Sequence, residues 1–258
     1  METNKCRYIL KGYDRKSMAI LLLMATICLG VGIFWNELFE QNLADINSFL
    51  ISIWVAMTAL LCWRVQPARD GALILISLVG GSVFEWWGTS AQLWYYFTGE
   101  RPPIWILPAW PVAALAAVRV AALVEWIFAR QKVNWRILYW ILTITFTVGM
   151  IRFLWPAIGL FTSKVAVGLM IVVMASSKSP KEDVCSFAAG SFLGFFLEYW
   201  GTSRSCWTYY TQEIPPPITV VAHGFAPMEY CEQSEPRDEA NNRIGYFHKE
   251  LIYSLSVK

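Results

Sequence analysis

Long apolar stretches separated by short charged segments organise this chain. Crossing roughly 30 Å of hydrocarbon takes about 20 mostly apolar residues in an α-helix. Eight stretches meet or approach that length: 17–35, 46–63, 71–87, 108–129, 137–155, 157–176, 184–200 and 214–230. The first two carry no charge. The others carry, in order, Glu85; Arg119 and Glu125; Arg152; Lys164; Glu198; and His223 with Glu229. Pro215, Pro216 and Pro217 open the last stretch, so it is either a span or a broken, re-entrant segment. The pattern predicts an all-α polytopic membrane protein with about eight transmembrane helices.

The basic residues give this arrangement a direction. If the eight stretches alternate across a bilayer, sixteen of the 21 lysines and arginines fall on one side, and only Arg101, Arg152 and Arg204 on the other. Loops rich in Lys and Arg stay cytoplasmic, which places both termini there and predicts a multi-pass protein of the cell membrane. The first stretch is too long for a signal-peptide core, so it reads as an uncleaved anchor.

Composition supports the class. Of 258 residues, 56% are apolar and only 16% charged, with mean hydropathy +0.43. Soluble domains carry about 25% charged residues. Disorder, a coiled coil and an ordinary soluble enzyme are poor fits, and a net charge of +2 gives no case for nucleic acid. The expected partner is the lipid bilayer; oligomeric state is not legible. Five of the six cysteines fall in spans or on the cytoplasmic side, so no intramolecular disulfide is expected. With two histidines and no Cys/His ligand spacing, no metal is expected, and no phosphate-loop or dinucleotide motif implies a cofactor.

A repeat at one constant offset, the step from position 85 to position 198, is the most informative feature. Glu85-Trp86-Trp87-Gly88-Thr89-Ser90 returns as Glu198-Tyr199-Trp200-Gly201-Thr202-Ser203, and Trp94, Tyr96 and Pro102-Pro103 return as Trp207, Tyr209 and Pro215-Pro216. Between 67 and 103, 14 of 37 positions are identical to their counterparts, Asp70/Asp183 and Gly81/Gly194 among them. The chain therefore divides into a cytoplasmic segment 1–16, a four-helix repeat 17–130, a second repeat 131–231 and a polar cytoplasmic tail 232–258. Four spans per half is an even number, so the halves would insert in parallel.

The repeated carboxylates Glu85 and Glu198 are the candidate catalytic residues. A charge within lipid is costly and turns toward a partner or a polar pocket. If a twofold axis brings the two together, they could share one proton, and a neutral acid among aromatic rings can protonate a weak base such as an alkene. Trp87, Trp94, Tyr96, Trp200, Trp207 and Tyr209 are the candidate substrate-binding rings, whose faces attract cations. Arg119, with Glu232 at its repeat position, is either a ligand contact, a partner for a buried Glu or a structural ion pair. His223 takes the place of Trp110 in the second half and is either a site residue or a packing residue. Three uses compete for the carboxylates: acid catalysis on a lipid, proton or cation binding in a small carrier or channel, and anchoring of helices in a structural subunit. On the anchoring reading, Gly88 and Gly201 would be helix C-caps.

The run Gly81-Ser82-x-x-Glu85-x-x-Gly88-Thr89, followed by Trp94-x-Tyr96, Pro103 and Pro108-Ala109-Trp110, resembles membrane carotenoid-biosynthesis proteins of the hydratase type and, more faintly, the membrane lycopene cyclases. The likeness covers the stretch 81–110 and its counterpart in the second half, and the chain lacks the Pro-x-Glu-Glu cluster of the cyclases. It implies an isoprenoid or other lipid ligand, with Glu85 and Glu198 as acids and the nearby rings as cation stabilisers.

Overall fold

The computed structural model describes residues 12–34, 48–129 and 131–225. The start of the N-terminal segment, positions 226–230 of the eighth stretch with Glu229, and the polar tail with Glu232 lie outside the described residues. Those described are mostly helical. They form α1 (Arg15–Phe34), α2 (Ser48–Leu61), α3 (Pro67–Ser90), β1 (Trp94–Tyr96), α4 (Ala109–Ile127), α5 (Trp135–Phe153), α6 (Phe161–Ala175), α7 (Pro180–Ser203), β2 (Trp207–Tyr209) and α8 (Pro217–Phe225). Three helical stretches, Pro67–Ser90, Ile104–Ile127 and Trp135–Phe153, are long and apolar enough to cross a membrane. Large apolar side chains stand outward along them, including Leu75, Val83, Ile141 and Val148. That surface suits lipid better than water.

Each helix boundary has a local cause. α3 and α7 both start on a proline, where the missing N–H is no loss and the fixed φ suits a first turn. Asp70 then accepts the Gln66 N–H at 3.0 Å, closing the first turn from inside. Asn134 caps α5 by accepting the Ile137 N–H at 3.2 Å. α6 starts later than the apolar run, at Phe161, because Trp155–Ala157 forms a separate 3-10 turn around Pro156. α8 cannot start before Pro217, the last of its three prolines.

α3 and α7 are each 24 residues long. They occupy equivalent positions of the repeat, as do β1 and β2. The strands are the departure from an all-α expectation. They pair antiparallel with Trp94 opposite Tyr209, Tyr95 opposite Thr208 and Tyr96 opposite Trp207. Flanking bonds run from the Phe97 N–H to the Cys206 carbonyl and from the Tyr210 N–H to the Leu93 carbonyl. Exchanging each residue for its repeat counterpart returns the same set of pairs, so the ribbon has a local twofold centred on Tyr95 and Thr208. A core of Trp87, Leu93, Trp94, Tyr96, Phe153, Leu154, Trp207 and Tyr209 sits beneath it.

The chain reverses from each helix into its strand through a left-handed residue, Gln92 at φ 59° and Ser205 at φ 55°. Gly88 and Gly201 do not cap these helices, contrary to expectation. They lie inside them, and a Cβ there would overlap the Trp94 ring or the Trp207 ring. A glycine is needed because the indole of the following strand folds back against the helix. Gly88→Ala and Gly201→Ala should each lower stability by about 1–3 kcal/mol through overpacking. Gly168→Ala, which meets open space, should be neutral or slightly stabilising. Thermal unfolding in detergent distinguishes them.

Candidate functional site

Glu85 and Glu198 lie more than a turn inside the ends of α3 and α7, where each strand folds its first and third side chains back over the carboxyl group. Both glutamates are buried. Glu85 Oε2 accepts the Trp94 indole N–H at 3.0 Å and the Tyr96 hydroxyl at 2.8 Å. Its Oε1 accepts the Trp110 indole N–H at 3.2 Å, from the first turn of α4. In the second half, Glu198 Oε2 accepts the Trp207 indole N–H at 3.1 Å, and the Tyr209 hydroxyl lies 2.9 and 3.0 Å from the two carboxyl oxygens. His223 Nε2 completes this set, 2.8 Å from Glu198 Oε1.

Each of these ligand positions maps onto its counterpart by the offset of the repeat. The helix backbone repeats too: Thr89 and Thr202 return their hydroxyls to the carbonyls of Glu85 and Glu198 at 2.7 and 2.6 Å. Burial, and then the adjacent carboxylates, push the Tyr96 and Tyr209 phenols well above their ordinary range, which keeps both as donors.

No hydrogen bond joins the two carboxyl groups directly. What meets across the ribbon is the rings. Trp94 stands edge-on to Tyr209 with centroids 6.1 Å apart, and Tyr96 to Trp207 at 6.2 Å. Trp110 and His223, equivalent positions, stack on each other at 6.4 Å and 28°. Room for them comes from Gly81 and Gly194, where a Cβ would overlap the Trp110 and His223 side chains.

The halves differ in the third ligand. At neutral pH an indole only donates a hydrogen bond, so Trp110 holds Glu85 and can do nothing further. An imidazole can take or release a proton, and the His223 side chain is 20% exposed where Glu198 is 5%.

Three of the expected binding residues stand apart from the carboxylates. Trp87 donates to the Ser163 hydroxyl at 3.2 Å, tying α3 to α6. Trp200, its counterpart, has a buried indole N–H with no hydrogen-bond partner among the described residues; its ring lies under the Arg204 guanidinium at 5.9 Å. Arg119 does not partner either glutamate. From the middle of α4 it grips Asp70 at the start of α3, with Nη1–Oδ1 3.1 Å and Nη2–Oδ2 2.6 Å, while Nε donates to the Trp63 carbonyl at 3.1 Å. That is a structural ion pair. Sequence reasoning missed Trp110 as a Glu85 ligand, although it lies 25 residues beyond Glu85, as His223 does beyond Glu198.

The chain matches no family model, and no curated protein or solved structure is significantly similar to it.

Proposed function

We propose that the chain is a cell-membrane enzyme that transfers a proton to an isoprenoid or other lipid, with the proton held between Glu198 and His223. The observation that carries this reading is the 2.8 Å contact between Glu198 Oε1 and His223 Nε2, in a wall of aromatic rings where the repeat-equivalent position holds a non-titrating indole. On this reading Glu85, Trp94, Tyr96 and Trp110 form the fixed half of the site, while Glu198 orients His223 for proton transfer. Eight spans in two parallel four-helix halves, with both termini cytoplasmic, would set the ribbon and the paired sites at the outer leaflet.

The chemistry balances without a redox partner. The π electrons of an alkene take the proton from the pair, forming a C–H bond and leaving a carbocation. The faces of Trp110 and of the ribbon rings stabilise that cation. Loss of a neighbouring proton, or addition of water followed by proton loss, ends the reaction and returns a proton to the pair. The resemblance of Glu85-x-x-Gly88 and the following Trp94-x-Tyr96 to carotenoid-biosynthesis proteins supports an isoprenoid as the substrate class.

Lipid extracts from cells lacking the protein, and from cells expressing wild type or His223→Phe at equal level, test the proposal by mass spectrometry. A lipid that appears or disappears with wild type, and changes at least about a hundredfold more slowly with His223→Phe, is the expected result. Identical profiles in a host that makes the substrate would overturn it.

A further inference from the structure

The first half carries a second polar feature that the carboxylate site does not use. Thr89, Gln92, Trp94, Tyr95 and Arg101 line a cavity of about 240 Å³ at the ribbon end of α3. We propose that this cavity binds the phosphate group of an amphiphilic lipid, whose hydrocarbon chain lies along Phe97, Ile104 and Trp105. The proposal deepens the lipid-enzyme reading, and rests on it, by naming the substrate's head group.

Three donors converge on the cavity. Arg101 is exposed and makes no ion pair among the described residues, so its guanidinium fork is free for a phosphate. The Gln92 amide, on the left-handed residue that turns the chain into β1, makes no side-chain hydrogen bond among the described residues. The Tyr95 hydroxyl accepts from Gln212 Nε2 at 2.9 Å, which leaves its own hydrogen to donate. One cation and two neutral donors, with no carboxylate in the lining, suit an anion rather than a metal ion or a sugar.

The repeat makes the assignment specific. At the equivalent places the second half has Ser205, Thr208 and Ile214 in place of Gln92, Tyr95 and Arg101, so it keeps the fold of the turn but loses the cation. In the sequence just after the cavity's lining residues Trp94 and Tyr95, the first half also carries the apolar residues Phe97, Ile104 and Trp105, where the second has Tyr210, Pro217 and Ile218. Phe97 and Ile104 are 73% and 82% exposed, and Trp105 sits 5.4 Å from the Tyr96 ring and 6.0 Å from the Phe97 ring. An inorganic anion has no use for these side chains; an acyl or isoprenyl chain does. Both halves thus hold a carboxylate cluster, and each adds one device, the head-group cavity in the first and His223 in the second.

Calorimetric titration of the full chain in a phosphate-free maltoside detergent tests the site with three probes: farnesyl phosphate, farnesol and inorganic phosphate. The expected result is saturable binding of farnesyl phosphate, with farnesol and inorganic phosphate each at least about tenfold weaker. Arg101→Gln should weaken farnesyl phosphate by about tenfold or more, the scale of one charge-assisted hydrogen bond. Arg152→Gln, the same charge change in the last turn of α5, should leave it unchanged. Farnesol binding as well as farnesyl phosphate, or Arg101→Gln matching wild type, would overturn the phosphate site. Inorganic phosphate binding as well as the lipid phosphate would overturn the lipid part. Because no turnover is read, failure of this binding and failure of the enzyme reading are separate outcomes.

Discussion

Asp70→Ala is expected to destabilise the protein by about 3–5 kcal/mol, more than any other single substitution proposed for this chain. The Arg119 side chain is only 5% exposed. Its Nε, Nη1 and Nη2 are all committed, to the Trp63 carbonyl and to Asp70. Removing Asp70 leaves a buried guanidinium with one protein acceptor and also frees the Gln66 N–H. The double variant Asp70→Leu with Arg119→Met should recover most of the loss, since replacing both members of a buried pair by apolar groups is often neutral. Denaturant unfolding in detergent, with the single and double variants compared, separates this from loss of packing alone. Equal stability of wild type and Asp70→Ala would show that the ion pair does not hold α3 to α4.

The second large effect is a difference between two chemically identical changes. Glu85→Gln should cost about 1–3 kcal/mol, and Glu198→Gln should be close to neutral. At position 85 the oxygen that becomes an NH2 would face an indole N–H, whether the amide points at Trp110 or flips toward Trp94. Two donors then oppose each other in a buried site, and no rotation relieves it. At position 198 the new NH2 can face His223, whose ring nitrogen accepts when its proton is on the other nitrogen. Tyr209 and Trp207 still donate to the remaining oxygen. Melting temperatures of the two variants check this. If they fall equally, His223 is no more adaptable than Trp110 and the division of labour between the halves is wrong.

How much of this was legible in the sequence depended on what kind of physics each feature obeys. The repeat was legible because each carboxylate needs the same donors at the same spacing, which preserves Trp94/Trp207 and Tyr96/Tyr209 as identities. The ribbon was not, because such short strands have no periodicity and each pairs with a segment in the other half of the chain. Gly88 was legible as special but not for the right reason, since a cap and a close ring contact both call for the residue without a Cβ. Arg119 was legible as a buried charge needing a partner. The choice of Asp70 over a glutamate depended on how far α4 runs back past the start of α3, which spacing along the chain does not encode. Across the twofold the structure brings two pairs of aromatic rings together, Trp94 with Tyr209 and Tyr96 with Trp207, a meeting that spacing along the chain does not encode. The three helices of spanning length among the described residues agree with the membrane class read from composition.

Delivery of a proton to carbon in a lipid by the Glu198–His223 pair is open to one direct measurement. Membranes are incubated in D2O with the lipid whose level depends on the protein, and the product is weighed by mass spectrometry. Wild type should give a product carrying one deuterium that does not wash out in H2O, while His223→Phe gives almost no labelled product at equal protein level. A wild-type product without stable deuterium, or labelling that survives His223→Phe undiminished, would contradict proton transfer from this pair.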